Sequence, residues 1–99
     1  MKNIFWVLVA LSPLVSPTLA QTPDEDCAAL GAMAEDIMWI RQNGGVMSEL
    51  IARVGHVDLF RQIVLDAYAR PRWPSESFQK TEVENFRNEV EHSCFSDFR

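Results

Sequence analysis

The stretch Asp24–Gly45, DEDCAALGAMAEDIMWIRQNGG, decides how this chain folds. Three consecutive acids open it, where the positive end of a helix dipole favours negative charge, and Pro23 stands just before them. At 100° per residue, Cys27, Leu30, Met33, Ala34, Ile37, Met38 and Ile40 fall in one broad apolar stripe, with Glu35 and Asp36 outside it. Asn43-Gly44-Gly45 then supplies a C-terminal stop. The spacing predicts a helix over 25–42. Trp39 falls almost opposite the centre of the stripe, beside Ala28 and Ala32. It is either an exposed anchor on a flat platform, a residue type that dominates binding energy, or part of the core if this helix is central.

Downstream the punctuation is equally plain. Ser48 caps a short helix over 48–54 and Gly55 ends it. A third helix runs from a cap at Asp58 to about Ala69, burying Phe60, Ile63, Val64 and Ala67, with Leu59 and Tyr68 on the flanks and Arg61, Gln62 and Asp66 pointing away. Pro71 stops it, because proline disfavours the helical conformation of the residue before it. Pro74 and Ser75 start a fourth helix over 75–95, in which Val83, Phe86, Val90 and Cys94 recur at helical spacing and glutamates cover the rest. Residues 96–99 read as a frayed tail. No stretch alternates with a period of two, so no strand is expected. The fold class is all-α: a compact small bundle of three main helices plus one short helix.

Ahead of this domain stands MKNIFWVLVALSPLVSPTLAQ. Lys2, the apolar run Ile4–Leu11, the helix-breaking Pro13 and Pro17, and Thr18-Leu19-Ala20 form the three regions of a cleavable signal peptide over 1–20. The run falls short of the ~20 apolar residues of a membrane span, and no stable span is expected after cleavage. The domain proper is then 21–99, exported to the periplasm or the extracellular space. In an oxidising compartment an even pair of cysteines reads as a disulfide. Cys27 and Cys94 would join the first turn of the first helix to the last turn of the fourth. His92 lies two residues from Cys94, which lacks zinc-ligand spacing, so no metal is expected.

The chain carries 14 acids against 9 Lys and Arg, a formal net charge of −5, and cleavage would remove only Lys2. Such a balance argues against nucleic acid and anionic membranes as partners. The charge is uneven: residues 21–40 hold no base, while Arg41, Arg53, Arg61, Arg70 and Arg72 cluster in the middle. Catalytic patterns are missing. There is no GxSxG, HExxH, Walker A or GxGxxG. Gly44-Gly45 is explained as a C-cap, His56 as a turn residue and His92 as a surface residue among glutamates. The expectation is a protein that is not an enzyme and holds no cofactor.

The remaining unusual segment is LDAYARPRWP, residues 65–74. Tyr68, Arg70, Arg72 and Trp73 around two prolines read in two ways. One is a recognition corner for an acidic or aromatic partner. The other is a rigid turn between helices, with Trp73 covering the end of the core and the arginines paired to nearby acids. With Trp39, these residues are the candidate partner-binding surface.

Cys27 at the head of an Ala-rich helix, Arg41-Gln42-x-Gly44, Ala67-Tyr68-x-x-Pro71, Phe86 and the closing Cys94 together resemble a group of short exported bacterial and phage proteins with two cysteines. That resemblance covers nearly all of 21–99 and implies no particular function. In size, helicity, export and single disulfide the chain is also similar to periplasmic acid-stress chaperones of the HdeA type, without a shared motif. Its carboxylates would neutralise at low pH and reverse the net charge. The expected function is therefore a non-catalytic module that binds another protein, as an inhibitor, an immunity-like factor or an envelope accessory. The acid-stress chaperone is the alternative, and a small enzyme built on His56 or His92 stands behind both.

Overall fold

The computed structural model describes residues 22–97, so the signal-peptide reading of 1–20 lies outside the described residues. Among these residues all regular structure is helical: α1 (Pro23–Gln42), α2 (Met47–Val54), α3 (Asp58–Tyr68) and α4 (Glu76–Asp97). The all-α expectation of three main helices and one short one is met.

Each boundary has a local cause. Thr22 caps α1 by a reciprocal pair: its hydroxyl accepts from the Glu25 N–H (3.1 Å) while the Glu25 carboxylate accepts from the Thr22 N–H (3.0 Å). Pro23 occupies the first helical position, where its missing N–H costs nothing. The helix thus starts two residues earlier than the charge pattern suggests. At its other end the Gly45 N–H reaches the Ile40 carbonyl (2.8 Å) and the Gly44 N–H the Arg41 carbonyl (3.1 Å), a Schellman motif. Gly44 sits at φ +86°, the left-handed conformation that favours glycine. A Cβ on Gly45 would overlap the Ile40 side chain.

Two expected caps are corrected. Ser48 lies inside the first turn of α2, whose N-cap is Val46 with no side-chain bond. Asp58 is the first helical residue of α3 rather than its cap, which is Val57. Both segments start from extended valines, and their acids Glu49 and Asp58 face the helix dipole instead. At α4 the Ser75 hydroxyl accepts from the Phe78 N–H (3.3 Å), as a cap should. The helix continues through Ser96 and Asp97, two residues past the expected end, and Phe98 and Arg99 lie outside the described residues.

α1 is the central element. α4 packs along it, α3 packs on another side of it, and α2 packs on α3. The core is Ala34, Ile37 and Met38 from α1, Leu50 from α2, Ile63, Val64 and Ala67 from α3, and Val83 and Phe86 from α4. Each larger side chain among them contributes about 1.5–3 kcal/mol by leaving water. Cys27 and Cys94 form the expected disulfide, tying the start of α1 to the end of α4, so the two helices run antiparallel. Midway along them Glu91 lies across buried Gly31, where a Cβ would overlap its side chain. Arg87 holds Glu91 (3.0 Å) and reaches over to Glu35 on α1.

Candidate functional site: a locked corner and the groove it closes

The corner between α3 and α4 is fastened to the end of α1 by one buried amide. Gln42 is 0% exposed. It follows Met38 by four residues and so sits in register with the apolar stripe of α1. Its Nε2 donates to the Pro71 carbonyl (2.8 Å) and its Oε1 accepts from the Trp73 N–H (2.8 Å). Its own main-chain carbonyl accepts from Arg72 Nε (2.8 Å). Three residues of the corner, Pro71, Arg72 and Trp73, are thus held by three bonds to one residue, with Arg41 adding two more to the Arg70 carbonyl (3.2 and 2.9 Å).

The five residues expected to form a partner surface are placed as follows. Trp39 is half-buried and packs against the core. Tyr68 is half-buried, with its hydroxyl donating to the Gly45 carbonyl (2.6 Å) and the Arg41 guanidinium 5.2 Å above its ring. Burial pushes the Tyr68 phenol above its ordinary pKa, Arg41 opposes this, and Glu49 adds to it. Arg70 bonds Glu82 (3.1 Å) and Glu89 and lies 5.0 Å over the Phe86 ring. The bond to Glu89 raises its pKa, against the effect of burial and with Glu82 adding to the rise, so it remains a cation. Trp73 donates its indole N–H to the other oxygen of Glu82 (2.9 Å), and Gln79 caps its carbonyl (2.7 Å). Arg72 is exposed beyond its bond to Gln42, and its guanidinium lies against Gly44. Tyr68, Arg70, Arg72 and Trp73 are brought together in one corner; Trp39 sits on α1.

Two residues that organise this corner were not among the expected site residues. Gln42 was detectable as a polar residue in register with a buried stripe. Glu82, whose side chain is 13% exposed, carried no local signal, since its partners Arg70 and Trp73 lie twelve and nine residues away.

Below the corner, α3 and α4 both rest on α1 and diverge from each other, leaving a groove of about 460 Å³. Its floor is apolar: Leu30 from α1, Ile63 from α3, Phe86 and Val90 from α4. Leu59, 54% exposed, forms the wall at the far end, near the disulfide. Asp66, Glu89 and Asp97 stand on the rim. Among the described residues the one cation on the rim is Arg70, whose guanidinium is already shared between Glu82 and Glu89. No buried side-chain N or O lacks a partner among the described residues. No group of His, Cys, Asp and Glu among them could hold a metal ion, and no helix is long and apolar enough to cross a membrane. His56 and His92 are both exposed, His56 in the turn before α3 and His92 on α4.

No family model, no curated protein and no solved structure matches this chain.

Proposed function

We propose that this protein is an exported, disulfide-closed helical module that acts by binding another protein, as an inhibitor, immunity-like factor or envelope accessory, and performs no chemistry of its own. The groove between α3 and α4 is the observation that supports it. A small domain gains by covering apolar surface, yet here Leu59 is left open beside a floor of Leu30, Ile63, Phe86 and Val90. The locked corner supports the same reading from the other side. It holds α3 and α4 apart at a fixed spacing, which keeps the groove formed before any partner arrives and lowers the ordering cost of binding. On this reading Tyr68, Arg70 and Trp73 position the groove, while Arg72 and the exposed Phe78 edge beside Trp73 extend the contact face.

The test is site-specific photo-crosslinking in the native host, with the probe at position 59 in the groove and at position 52 on the exposed outer side of α2. A discrete adduct from 59 and none from 52 is expected. Identical patterns from both positions, or no adduct from either, would remove the proposal. Export is checked in the same cells by whether the product fractionates outside the cytoplasm with Cys27 and Cys94 oxidised.

One observation favours a second reading, an acid-conditional chaperone. The ion pairs that join the corner and α1 to α4 use four carboxylates, Glu35, Glu82, Glu89 and Glu91, on two arginines. Protonation would remove the charge from all four together and free α4 to swing off the apolar floor. Near-UV circular dichroism and dye binding at pH 2–3 test this: retained tertiary structure with no newly exposed apolar surface rules it out.

A further inference from the structure

Resting on the binding-module reading, we infer that the groove takes a short cationic amphipathic helix of its partner, seated as the missing fourth helix of a bundle. Three observations carry this. The first is length. Leu59 to Arg70 on one wall and Phe86 to Asp97 on the other each cover eleven residue steps, roughly 16 Å at about 1.5 Å per residue, or three helical turns. The second is geometry. α3 and α4 both pack on α1 and diverge below the corner, so the groove between them is the position a fourth helix fills in a four-helix bundle. Apolar residues at i, i+3, i+4 and i+7 of the incoming helix would meet the exposed Leu59 and the half-buried Leu30 and Val90, above the buried Ile63 and Phe86.

The third is charge. Asp66 and Asp97 have no cation beside them among the described residues, and Asp66 accepts only from the Gln62 amide (2.9 Å). Glu89 neutralises Arg70 together with Glu82, so the closed end of the groove also carries net negative charge. A helix flanked by Lys or Arg gains at Asp66 and Asp97, where one flanked by acids is repelled, and Arg70 offers an acidic helix little because its charge is already shared between Glu82 and Glu89. A second copy of this chain fits poorly, because its helices are acidic overall and would meet like charge on the rim.

The probe is a pair of designed peptides of about 14 residues, one of leucine and lysine with leucines on one helical face, the other with every lysine replaced by glutamate. Binding to the intact, oxidised protein is measured by calorimetry, and its location by amide chemical shifts. The lysine peptide is expected to bind, to shift residues around Leu59, Phe86 and Val90, and to weaken steeply as salt is raised. The double variant Asp66→Asn with Asp97→Asn is expected to bind it roughly tenfold more weakly, at the upper range for two exposed or half-exposed ion pairs. Both aspartates are exposed, so the fold is unaffected. Leu59→Ser, at an exposed position, is expected to weaken both apolar and total affinity while leaving the salt dependence unchanged.

Equal or tighter binding of the glutamate peptide, or lysine-peptide shifts centred away from the groove, would overturn the inference. So would concentration-dependent dimerisation reported by the groove residues, which would make a second copy the occupant. If position 59 still crosslinks to a native partner in any of these cases, the binding-module reading stands and only the charge class of the partner is wrong. If neither peptide nor partner engages position 59, both fall together.

Discussion

Replacing Gln42 by alanine should unlock the corner and cost the fold a substantial share of its stability. The wild-type amide makes two bonds across the chain, to the Pro71 carbonyl and from the Trp73 N–H, each at 2.8 Å and at a site 0% exposed. Each such bond contributes about 1 kcal/mol net, and an N–H left unpaired in a buried site costs about 1–3 kcal/mol more. The truncated side chain also leaves a gap beside Met38 and Trp73. The sum is roughly 3–5 kcal/mol. A domain of this length holds roughly 4–11 kcal/mol in total, so the variant should lose a quarter or more of its stability. The corresponding fall in Tm is about 12–40 °C.

Urea unfolding of the oxidised protein, followed by tryptophan fluorescence and far-UV circular dichroism, measures this directly. Gln62→Ala is the control: the same residue type, exposed, with one bond to Asp66, expected to change stability by less than about 0.5 kcal/mol. Gln42→Glu adds a signed test. One oxygen of the introduced carboxyl can still accept from Trp73, but the other must face the Pro71 carbonyl and is favourable only when protonated. Its folded-state pKa is therefore raised above the unfolded value of about 4.3, and the stability it contributes is present in acid and lost as pH rises through the folded pKa. Relative to wild type at each pH, the variant should be closest in acid and fall behind toward neutrality. A loss below about 1 kcal/mol for Gln42→Ala, or one no larger than for Gln62→Ala, would show that the corner is held by something other than this amide.

Two further outcomes follow from the same contacts. Reducing Cys27–Cys94, or replacing both by serine, releases a loop of 67 residues and should cost about 4 kcal/mol in the chain-entropy account, seen as a drop in urea midpoint; an unchanged midpoint would mean that the reduced, unfolded chain is already compact. Tyr68 has its pKa raised by burial, so its contribution to stability is full below the unfolded value of about 10 and falls as pH rises through the folded value. Stability should thus decline above about pH 10, and Tyr68→Phe, which gives up about 1 kcal/mol with its bond to Gly45, should flatten that alkaline decline.

The parts of the fold that were readable from residue order are those set by one helix at a time. The stripe from Cys27 to Ile40, the Asn-Gly-Gly stop and the prolines of the corner each act through local backbone chemistry, and four helices in the expected order resulted. Caps were less legible: Ser48 and Asp58 have the right side chains, but Val46 and Val57 adopt the extended conformation first, so α2 begins two residues and α3 one residue earlier than those caps would allow. The groove could not be read at all. Periodicity identifies Leu59, Ile63, Phe86 and Val90 as apolar, yet whether α3 and α4 meet or diverge depends on how both lie on α1, a relation across more than twenty residues.

The clustered arginines are the feature whose reading changes most. In an acidic chain, Arg41, Arg70 and Arg72 near Trp73 suggest a cationic face. In the folded chain Arg41 and Arg72 serve the ends of two helices, and Arg70 is spent on Glu82 and Glu89. Arg72 satisfies the carbonyl of Gln42, the last residue of α1. Arg41 satisfies the carbonyl of Arg70 just past α3, a helix with no basic residue in its own last turn. The Gln42 carbonyl, at a helix end, has no partner within its helix, and a lysine could not replace the other two arginines equally well: Arg41 applies two N–H groups to one oxygen and Arg70 grips Glu89 with two while reaching Glu82, which uses a rigid planar fork that an ammonium lacks. Spending the arginines inside the corner has a consequence at the groove. It leaves Asp66 and Asp97 facing solvent with no cation beside them among the described residues, so the same interactions that hold α3 and α4 apart also give the open apolar floor a negative rim. The charge that selects a partner is therefore set by where the arginines are used up.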